Sequence, residues 1–241
     1  MKNVLKLLTF DVNNTIIKVR HSVGHHYSKT ASAFGVEADP AKVQSAFLEA
    51  YREQKSTQPN YGDGLDTTTE RWWTDIVKKT FILQGHSNIE TLEQIGAKLY
   101  QDFLEPSYWD VFPDVKNVLS YLNKQGMCVG VISNFDERLI QVLKNLELAH
   151  HFSFIIPSIF AKYQKPQPQI FQKALDLMKV APNECLHIGD SVKNDYYAAQ
   201  DIGMNALIID RDGTLQRNHP DINRMHFINN LEDLKQFVDS S

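Results

Sequence analysis

Five or six short apolar runs constrain the fold of this chain more than any other feature. They are VLKLLTF before Asp11, CVGVIS before Asn134, FSFIIPS from Phe152, CLHIG before Asp190, NALIID before Arg211 and HFIN from His226. They are apolar continuously rather than at alternate positions, which is typical of strands covered on both faces in a parallel sheet. We therefore expect a buried parallel sheet.

Segments with helical spacing of apolar residues separate these runs. PDVKNVLSYLNKQG opens with Pro113 and closes with Gly126, which match helix start and stop signals. DERLIQVLKNLEL, PQIFQKALDLMK and KNDYYAAQDIG follow in turn. Alternating strands and helices predict an α/β fold with a doubly wound, Rossmann-like parallel sheet.

The region from about residue 18 to residue 108 breaks this alternation. It contains four amphipathic stretches and no strand-like run: VGHHYSKTASAFG, PAKVQSAFLEAYREQ, TTTERWWTDIVKKTFIL and IETLEQIGAKLYQDFL. We expect residues 18–108 to form an all-helical subdomain inserted into an α/β core made of residues 1–17 and 109–241. Trp72, Trp73, Phe81 and Phe103 fit the packed core of such a subdomain better than a ligand cage.

Composition excludes several classes of function. The chain has 241 residues, 42% hydrophobic and 22% charged, with a formal net charge of -4, which argues against a nucleic-acid binder with a basic surface. No apolar run approaches the roughly 20 residues of a membrane span, and the start MKNVLKLLTF lacks the features of a signal peptide. Cys128 and Cys185 lie in apolar segments, as reduced core thiols do. We expect a cytoplasmic protein without a membrane or nucleic-acid partner.

Polar residues follow four of the predicted strands. Asp11 follows the first, Ser133 ends the second, Lys165 comes after the third, and Asp190 and Asp195 follow the fourth. Ligands of doubly wound sheets collect at the carboxyl ends of the strands. Carboxylates gathered there repel one another unless a cation lies among them, and such oxygen ligands suit Mg²⁺. The lysine supplies a point charge suited to a phosphate.

These residues resemble a known family, the haloacid dehalogenase-like hydrolases. The four motifs of that family are D-x-D-x-T/V, a Ser or Thr after the second strand, a Lys often followed by Pro, and G-D-x-x-x-x-D. In this sequence they are Asp11–Thr15, Ser133–Asn134, Lys165–Pro166 and Gly189–Asp195, in the family's order and spacing. The helical insertion matches the family's cap domain of the first type. SNFDERL, KPQPQIF and GDSVKNDYYAA most resemble one branch of the family.

The resemblance implies a role for each motif. Asp11 would be the nucleophile that forms an aspartyl-phosphate with a small phosphorylated substrate. Lys165 and Ser133 would hold and neutralise the transferring phosphoryl group, and Thr15 and Asn134 would contribute to substrate binding. Mg²⁺ would be held by Asp11, the backbone carbonyl of Asn13, and Asp190. Asp195 would act on the metal through water or would orient Lys165.

Asn13 departs from the family pattern, because family phosphatases carry an aspartate there as general acid and base. General acid–base catalysis contributes typically ~10²–10⁴-fold, so the resemblance implies a slow phosphatase. Two alternatives remain open. One is a protein without turnover that binds phosphorylated ligands or a protein partner; the other is a metal-independent 2-haloacid dehalogenase, whose leaving halide needs no proton. His21, His25 and His26 are candidate replacement proton donors, although an exposed helix face is the simpler interpretation.

The segment DRDGT, Asp210 to Thr214, fits the first motif better than residues 11–15 do. No further strand with a Ser, a Lys and G-D-x-x-x-x-D follows it. We therefore interpret it as a turn after the fifth strand, in which Asp-Gly supplies the turn chemistry.

Overall fold

The computed structural model describes residues 5–239. The chain divides into two compact units. The first takes the chain up to Lys18 and again from Val111 onward, and the second takes Val19–Asp110. Within residues 5–239, none of the helices combines the length and the apolar character that a membrane-crossing segment needs.

Eight strands are present among the described residues. They are β1 (Leu7–Phe10), β2 (Ile17–Val19), β3 (Trp109–Val111), β4 (Cys128–Ser133), β5 (Phe154–Pro157), β6 (Cys185–Gly189), β7 (Asn205–Ile209) and β8 (Phe227–Ile228). Six of them form one sheet in the order β5-β4-β1-β6-β7-β8, and every pairing in it is parallel. The remaining two, β2 and β3, form a separate two-stranded sheet.

The helices alternate with the strands of the large sheet, except between β2 and β3. Described helices are α1 (Val23–Ser32), α2 (Pro40–Thr57), α3 (Pro59–Gly62), α4 (Thr69–Ile82), α5 (Ile89–Asp102), α6 (Val115–Lys124), α7 (Arg138–Asn145), α8 (Ser158–Ala161), α9 (Pro168–Met178), α10 (Ala198–Gln200), α11 (Thr214–Asn218) and α12 (Leu234–Asp239). The predicted doubly wound α/β core is confirmed by this alternation and by the parallel pairing.

Residues of β1 are completely buried, as its largely apolar sequence predicts. The strand lies at the centre of the sheet, where Phe10 is in register with Val131 of β4 on one side and with Ile188 of β6 on the other. The amide of Asp11 extends this ladder by donating to the carbonyl of Ile188 at 2.9 Å. The ends of β1, β4 and β6 therefore lie side by side, which places Asp11 next to the residues that follow β4 and β6.

Within the second unit, α1, α2, α4 and α5 form the expected helical subdomain. Each begins with a side-chain cap, for which the residues are Ser22, Asp39, Thr68 and Asn88. Trp72 and Phe81 are buried in its core, and Trp73 and Phe103 pack against that core while partly exposed, so the packing prediction for these aromatics is confirmed. A Cβ at Gly24 would lie 2.2 Å from the Pro40 carbonyl oxygen, which shows how closely α1 approaches α2.

Two local features differ from the sequence predictions. β2 and β3 were not predicted, because three residues are too few to show a periodicity. The segment KNDYYAAQDIG was predicted as a helix, and it begins instead with a π-helical turn over Val192–Tyr197 before α10. Widened turns of this kind are rare and are frequent at functional sites.

Candidate active site

Asp11 is the first residue after β1 and is 7% exposed. The Ser133 hydroxyl, at the end of the neighbouring β4, donates to Oδ1 of Asp11 at 3.0 Å. The Lys165 ammonium donates to the same oxygen at 2.7 Å. Three residues that are far apart in the chain therefore meet at the carboxyl end of the sheet, as the sequence predicts for parallel strands.

Lys165 is fixed by its backbone as well as by its side chain. The Asn134 amide accepts from the backbone N–H of Lys165 at 2.7 Å and donates to its carbonyl at 2.8 Å. This paired contact aims the lysine side chain into the core, where it is 2% exposed. The structure therefore uses the Asn134 side chain to hold Lys165, and the predicted substrate contact of Asn134 stays a prediction.

Asp195 is the second partner of the Lys165 ammonium, at 2.5 Å. The remaining contacts of Asp195 are made by His187 and by the backbone of Ser191. His187 Nε2 lies 3.0 Å from its Oδ1, and the Ser191 N–H donates to its Oδ2 at 3.0 Å. Burial on its own would raise the pKa of Asp195, but Lys165 and His187 outweigh that effect and hold the pKa below its usual range. Asp195 is therefore an ionised carboxylate that holds Lys165.

A second layer of contacts lies beneath Asp195. Burial lowers the pKa of His187, so its ring is neutral and carries a single proton. An ionised Asp195 accepts only, which places that proton on Nε2 and leaves Nδ1 to accept from the Thr9 hydroxyl at 2.9 Å. Sequence reasoning missed Thr9 and His187, although each is a polar residue inside an apolar run and the two are paired in register between β1 and β6.

Gly189 is required by this packing. A Cβ at Gly189 would lie 2.2 Å from Cγ of Asp195, so only glycine leaves room for the carboxylate. The Asp195 and Tyr196 amides both donate to the Ser191 carbonyl, at 2.9 and 3.2 Å, where the π-helical turn begins. Asp195 therefore lies in the π-helical turn, with its carboxylate within 4.8 Å of that of Asp190.

Asp190 differs from the other two carboxylates because Lys165 pairs with Asp11 and Asp195 but not with Asp190. Its carboxylate accepts a hydrogen bond from the Asn14 side-chain amide at 3.3 Å. Burial, together with the charges of Asp11 and Asp195, raises the pKa of Asp190 to about 7. Burial is also the main cause that raises the pKa of Asp11, which Lys165 partly offsets.

The donor set fits a divalent cation. Carboxylate oxygens of Asp11, Asp190 and Asp195 all lie within 4.8 Å of one another. Three carboxylates against the single ammonium of Lys165 leave two negative charges uncompensated (3 − 1 = 2) when all are ionised. Burial, and after it the charges of Asp11 and Asp195, raise the pKa of Asp190, and hard oxygen ligands of this kind suit Mg²⁺.

Asn13 and Thr15 lie in the tight turn that follows Asp11. Asn13 is exposed, and its backbone bridges to Ile17. Thr15 is completely buried, and its Oγ1 has no hydrogen-bond partner among residues 5–239. The role in substrate binding that the sequence implies for Thr15 stays a prediction.

The three histidines of the second unit form a group of rings. The ring centroids of His21 and His25 lie 4.7 Å apart. His26 is buried, its Nε2 lies 2.8 Å from the Arg20 carbonyl, and its ring stacks on Tyr108 at 4.2 Å. Burial is the main cause that lowers the pKa of His26, so this ring is a neutral packing element of its unit.

A family model described as haloacid dehalogenase-like hydrolase matches residues 5–203. The chain belongs to the haloacid dehalogenase-like hydrolases. Among curated relatives, the bovine (Bos taurus) haloacid dehalogenase-like hydrolase domain-containing protein 3 is 37% identical over 236 residues, which cover 98% of this chain and 94% of the relative. The branch suggested by the motif segments, that of this relative, is thereby confirmed.

Solved structures of the family share the fold of this haloacid dehalogenase-like hydrolase. A phosphatase from Thermococcus onnurineus superposes with a TM-score of 0.65 at 20% identity, covering 97% of this chain and 98% of that one. A 2-haloacid dehalogenase from Pseudomonas syringae superposes with a TM-score of 0.68 at 22% identity, covering 98% and 99%. Since one fold carries both reactions, the choice between them depends on the residues of the site.

Proposed function

We propose that this protein is a Mg²⁺-dependent phosphatase that acts through an aspartyl-phosphate on Asp11 and turns over slowly. The observation that carries the proposal is the charge arrangement around Asp11. The single ammonium of Lys165 is shared by Asp11 and Asp195, whereas Asp190 has a raised pKa and no cation paired with it among residues 5–239. A substrate that carries several negative charges needs a further positive charge at this position.

The residues suited to hold Mg²⁺ are Asp11, Asp190 and the backbone carbonyl of Asn13. The Asp195 carboxylate is occupied by Lys165, His187 and the Ser191 amide, which supports the role of orienting Lys165. When bound, Mg²⁺ supplies positive charge to the oxygens of the phosphoryl group.

In the first step, the carboxylate of Asp11 attacks phosphorus, an O–P bond forms, and the bond from phosphorus to the leaving oxygen breaks. The ammonium of Lys165 and the hydroxyl of Ser133 offer hydrogen bonds to the phosphoryl oxygens. Asn13 has no acidic proton to give, so the leaving alkoxide takes its proton from water. Substrates with acidic leaving groups are therefore favoured.

In the second step, water attacks phosphorus, the aspartyl O–P bond breaks, and the carboxylate of Asp11 is restored with release of phosphate and a proton. An aspartate at position 13 would accept that proton, and Asn13 cannot. General base catalysis is worth typically ~10²–10⁴-fold, so this step limits the overall rate for substrates with acidic leaving groups.

The alternative candidate is a dehalogenase, and Asn13 is the observation that favours it, because halide leaves without a proton. In that reaction Asp11 attacks carbon and no metal is needed, which leaves the uncompensated charge of Asp190 without a role. The phosphatase accounts for Asp190 as well as for Asp11 and Lys165, so we favour it.

Parallel assays separate the two reactions. The protein is incubated with an aryl phosphate and with 2-chloropropionate, each with Mg²⁺ and with a chelator, beside an Asp11→Asn control. We expect phosphate release that requires both Mg²⁺ and Asp11, without chloride release. Chloride release in the presence of the chelator would establish the dehalogenase. Absence of both products would favour the remaining alternative, a protein without turnover that binds phosphorylated ligands or a protein partner.

A further inference from the structure

The segment Asp210–Thr214 matches the nucleophile motif in sequence, but it has a structural role in the folded protein. Asp210 is 2% exposed, and its carboxylate accepts from the backbone N–H groups of Leu215 and Gln216 at 3.1 and 2.8 Å. The amide of Gly213 donates to the Asp210 carbonyl at 3.3 Å, which confirms the predicted turn. The Asp210 carboxylate therefore satisfies backbone amides in the first turn of α11 and is not available as a nucleophile.

The next residue, Arg211, contacts the turn that follows Asp11. Its Nη2 donates to the Thr15 carbonyl at 2.8 Å, and its Nη1 lies 3.2 and 3.0 Å from the two carboxylate oxygens of Asp114. Its guanidinium stacks on the Phe112 ring, 3.7 Å from the centroid. A planar guanidinium makes these three contacts at once, which a lysine cannot do.

Asp114 anchors this contact to a third part of the chain. It is 8% exposed and also accepts from the Leu231 amide. The Phe112 amide donates to the Ile16 carbonyl at 3.1 Å, so a second hydrogen bond joins the same segments. Arg211 is thus held in a fixed position by buried or packed groups.

The turn that Arg211 contacts is the one that carries Asp11 and Asn13. Inside it, the amides of Thr15, Ile16 and Ile17 all donate to the Val12 carbonyl, at 3.3, 2.8 and 3.0 Å. The Thr15 carbonyl, in contrast, takes its hydrogen bond from outside the turn, from Arg211. Because the turn is tight, movement at Thr15 is passed on to the carbonyl of Asn13 and to Asp11.

We propose that Arg211 is a positioning residue that fixes the turn Asp11–Ile17 in its reactive geometry, acting through the Thr15 carbonyl. The proposal rests on the function assigned to Asp11. It gives Arg211, which follows β7 and belongs to none of the four motifs, a role in the same site. Displacement of a reacting group by about 1 Å can lower a rate by about 100-fold. Without Arg211, the Thr15 carbonyl loses its hydrogen bond and the Asp114 carboxylate loses its cation.

The test compares Arg211→Lys and Arg211→Ala with Arg217→Ala as a matched control. Arg217 lies in α11, and its guanidinium donates to the Thr214 hydroxyl at 3.2 Å on the exposed side of that helix. Amide hydrogen exchange is followed by mass spectrometry in peptides covering residues 11–17 and in peptides from β4. Mg²⁺ affinity is measured by calorimetry on the same samples. Arg211→Lys keeps the charge, so it provides a folded variant if Arg211→Ala does not fold.

We expect exchange in residues 11–17 to rise by about tenfold in the Arg211 variants, as loss of a hydrogen bond from a charged donor predicts. Exchange in β4 and in Arg217→Ala should match the unmodified protein, and Mg²⁺ affinity should fall only in the Arg211 variants. Unchanged exchange in residues 11–17, an equal rise throughout the core, or the same effect in Arg217→Ala would overturn the proposal. Exchange needs no turnover, so failure of the phosphatase assay does not affect this result.

Discussion

Lys165 Nζ and Asp11 Oδ1 lie 2.7 Å apart, although 154 residues separate them in the chain. Burial on its own would lower the pKa of Lys165, but the charges of Asp11 and Asp195 outweigh it and raise the pKa. The lysine therefore stays charged in the core, and it both stabilises the fold and supplies positive charge to the site.

Replacing this lysine should destabilise the protein. Lys165→Met leaves Asp11 and Asp195 buried without their cation, and breaking a buried ion pair in this way costs about 3–5 kcal/mol. We expect the free energy of unfolding, measured in urea, to fall by about that amount. Lys173→Met, on the exposed side of α9, is the control and should change it by less than about 0.5 kcal/mol. Equal stability of the two variants would show that the ion pair contributes little.

Restoring the missing acid should speed the reaction. Asn13 is exposed beside the nucleophile, so an aspartate there can give a proton to the leaving group and take one from water. We expect Asn13→Asp to raise turnover of an alkyl phosphate by at least ~10²-fold, and Asn13→Ala to leave turnover low. The measurement is phosphate release at saturating substrate. If Asn13→Asp is no faster than Asn13→Ala, proton transfer is not what limits the rate.

Mg²⁺ affinity should depend on pH because protons compete for Asp190. In the metal-free protein, burial and the neighbouring carboxylates raise the pKa of Asp190 to about 7. Below that pH the group is protonated and must lose its proton to bind the metal; above it the group is already ionised. We expect the apparent Kd to rise about tenfold for each pH unit below about 7 and to level off above it.

Calorimetry between about pH 5.5 and 8.5 checks this dependence, and buffers of different ionisation enthalpy count the protons released. Asp190→Asn should bind Mg²⁺ weakly and lose most of the pH dependence. A constant Kd across the range would contradict the assigned role of Asp190.

The two cysteines should differ in reactivity. Cys185 lies in β6 with no exposed surface, and burial raises the pKa of its thiol to about 12. Cys128, at the start of β4, is partly exposed. Because the thiolate is the reactive form, iodoacetamide should label Cys128 first and reach Cys185 only after unfolding. Mass spectrometry of the labelled peptides measures the order, and early labelling of Cys185 in the folded protein would contradict this burial.

Much of the fold could be predicted from the sequence because its signals are local. Largely apolar runs predicted β1, β4 and β6, and amphipathic spacing predicted α2 and α4. The motif residues at the strand ends were also correctly expected to meet, since parallel strands end at one edge.

Contacts between distant segments were not predictable in the same way. The contact of Asn134 with the Lys165 backbone and that of Arg211 with the Thr15 carbonyl depend on side-chain directions that no local pattern encodes. The π-helical turn before α10 was also not predicted, because apolar spacing does not distinguish it from an α-helix.

Direct detection of the phosphorylated protein tests the central claim. Asn13 cannot activate water, so hydrolysis of the aspartyl-phosphate should be slower than its formation, and the intermediate should accumulate. The protein is mixed with an aryl phosphate and Mg²⁺, quenched in acid and analysed by peptide mass spectrometry. We expect one phosphoryl group on Asp11, absent without Mg²⁺ and depleted in Asn13→Asp. An unmodified Asp11 at all times, or a label that forms equally well without Mg²⁺, would contradict the proposed mechanism.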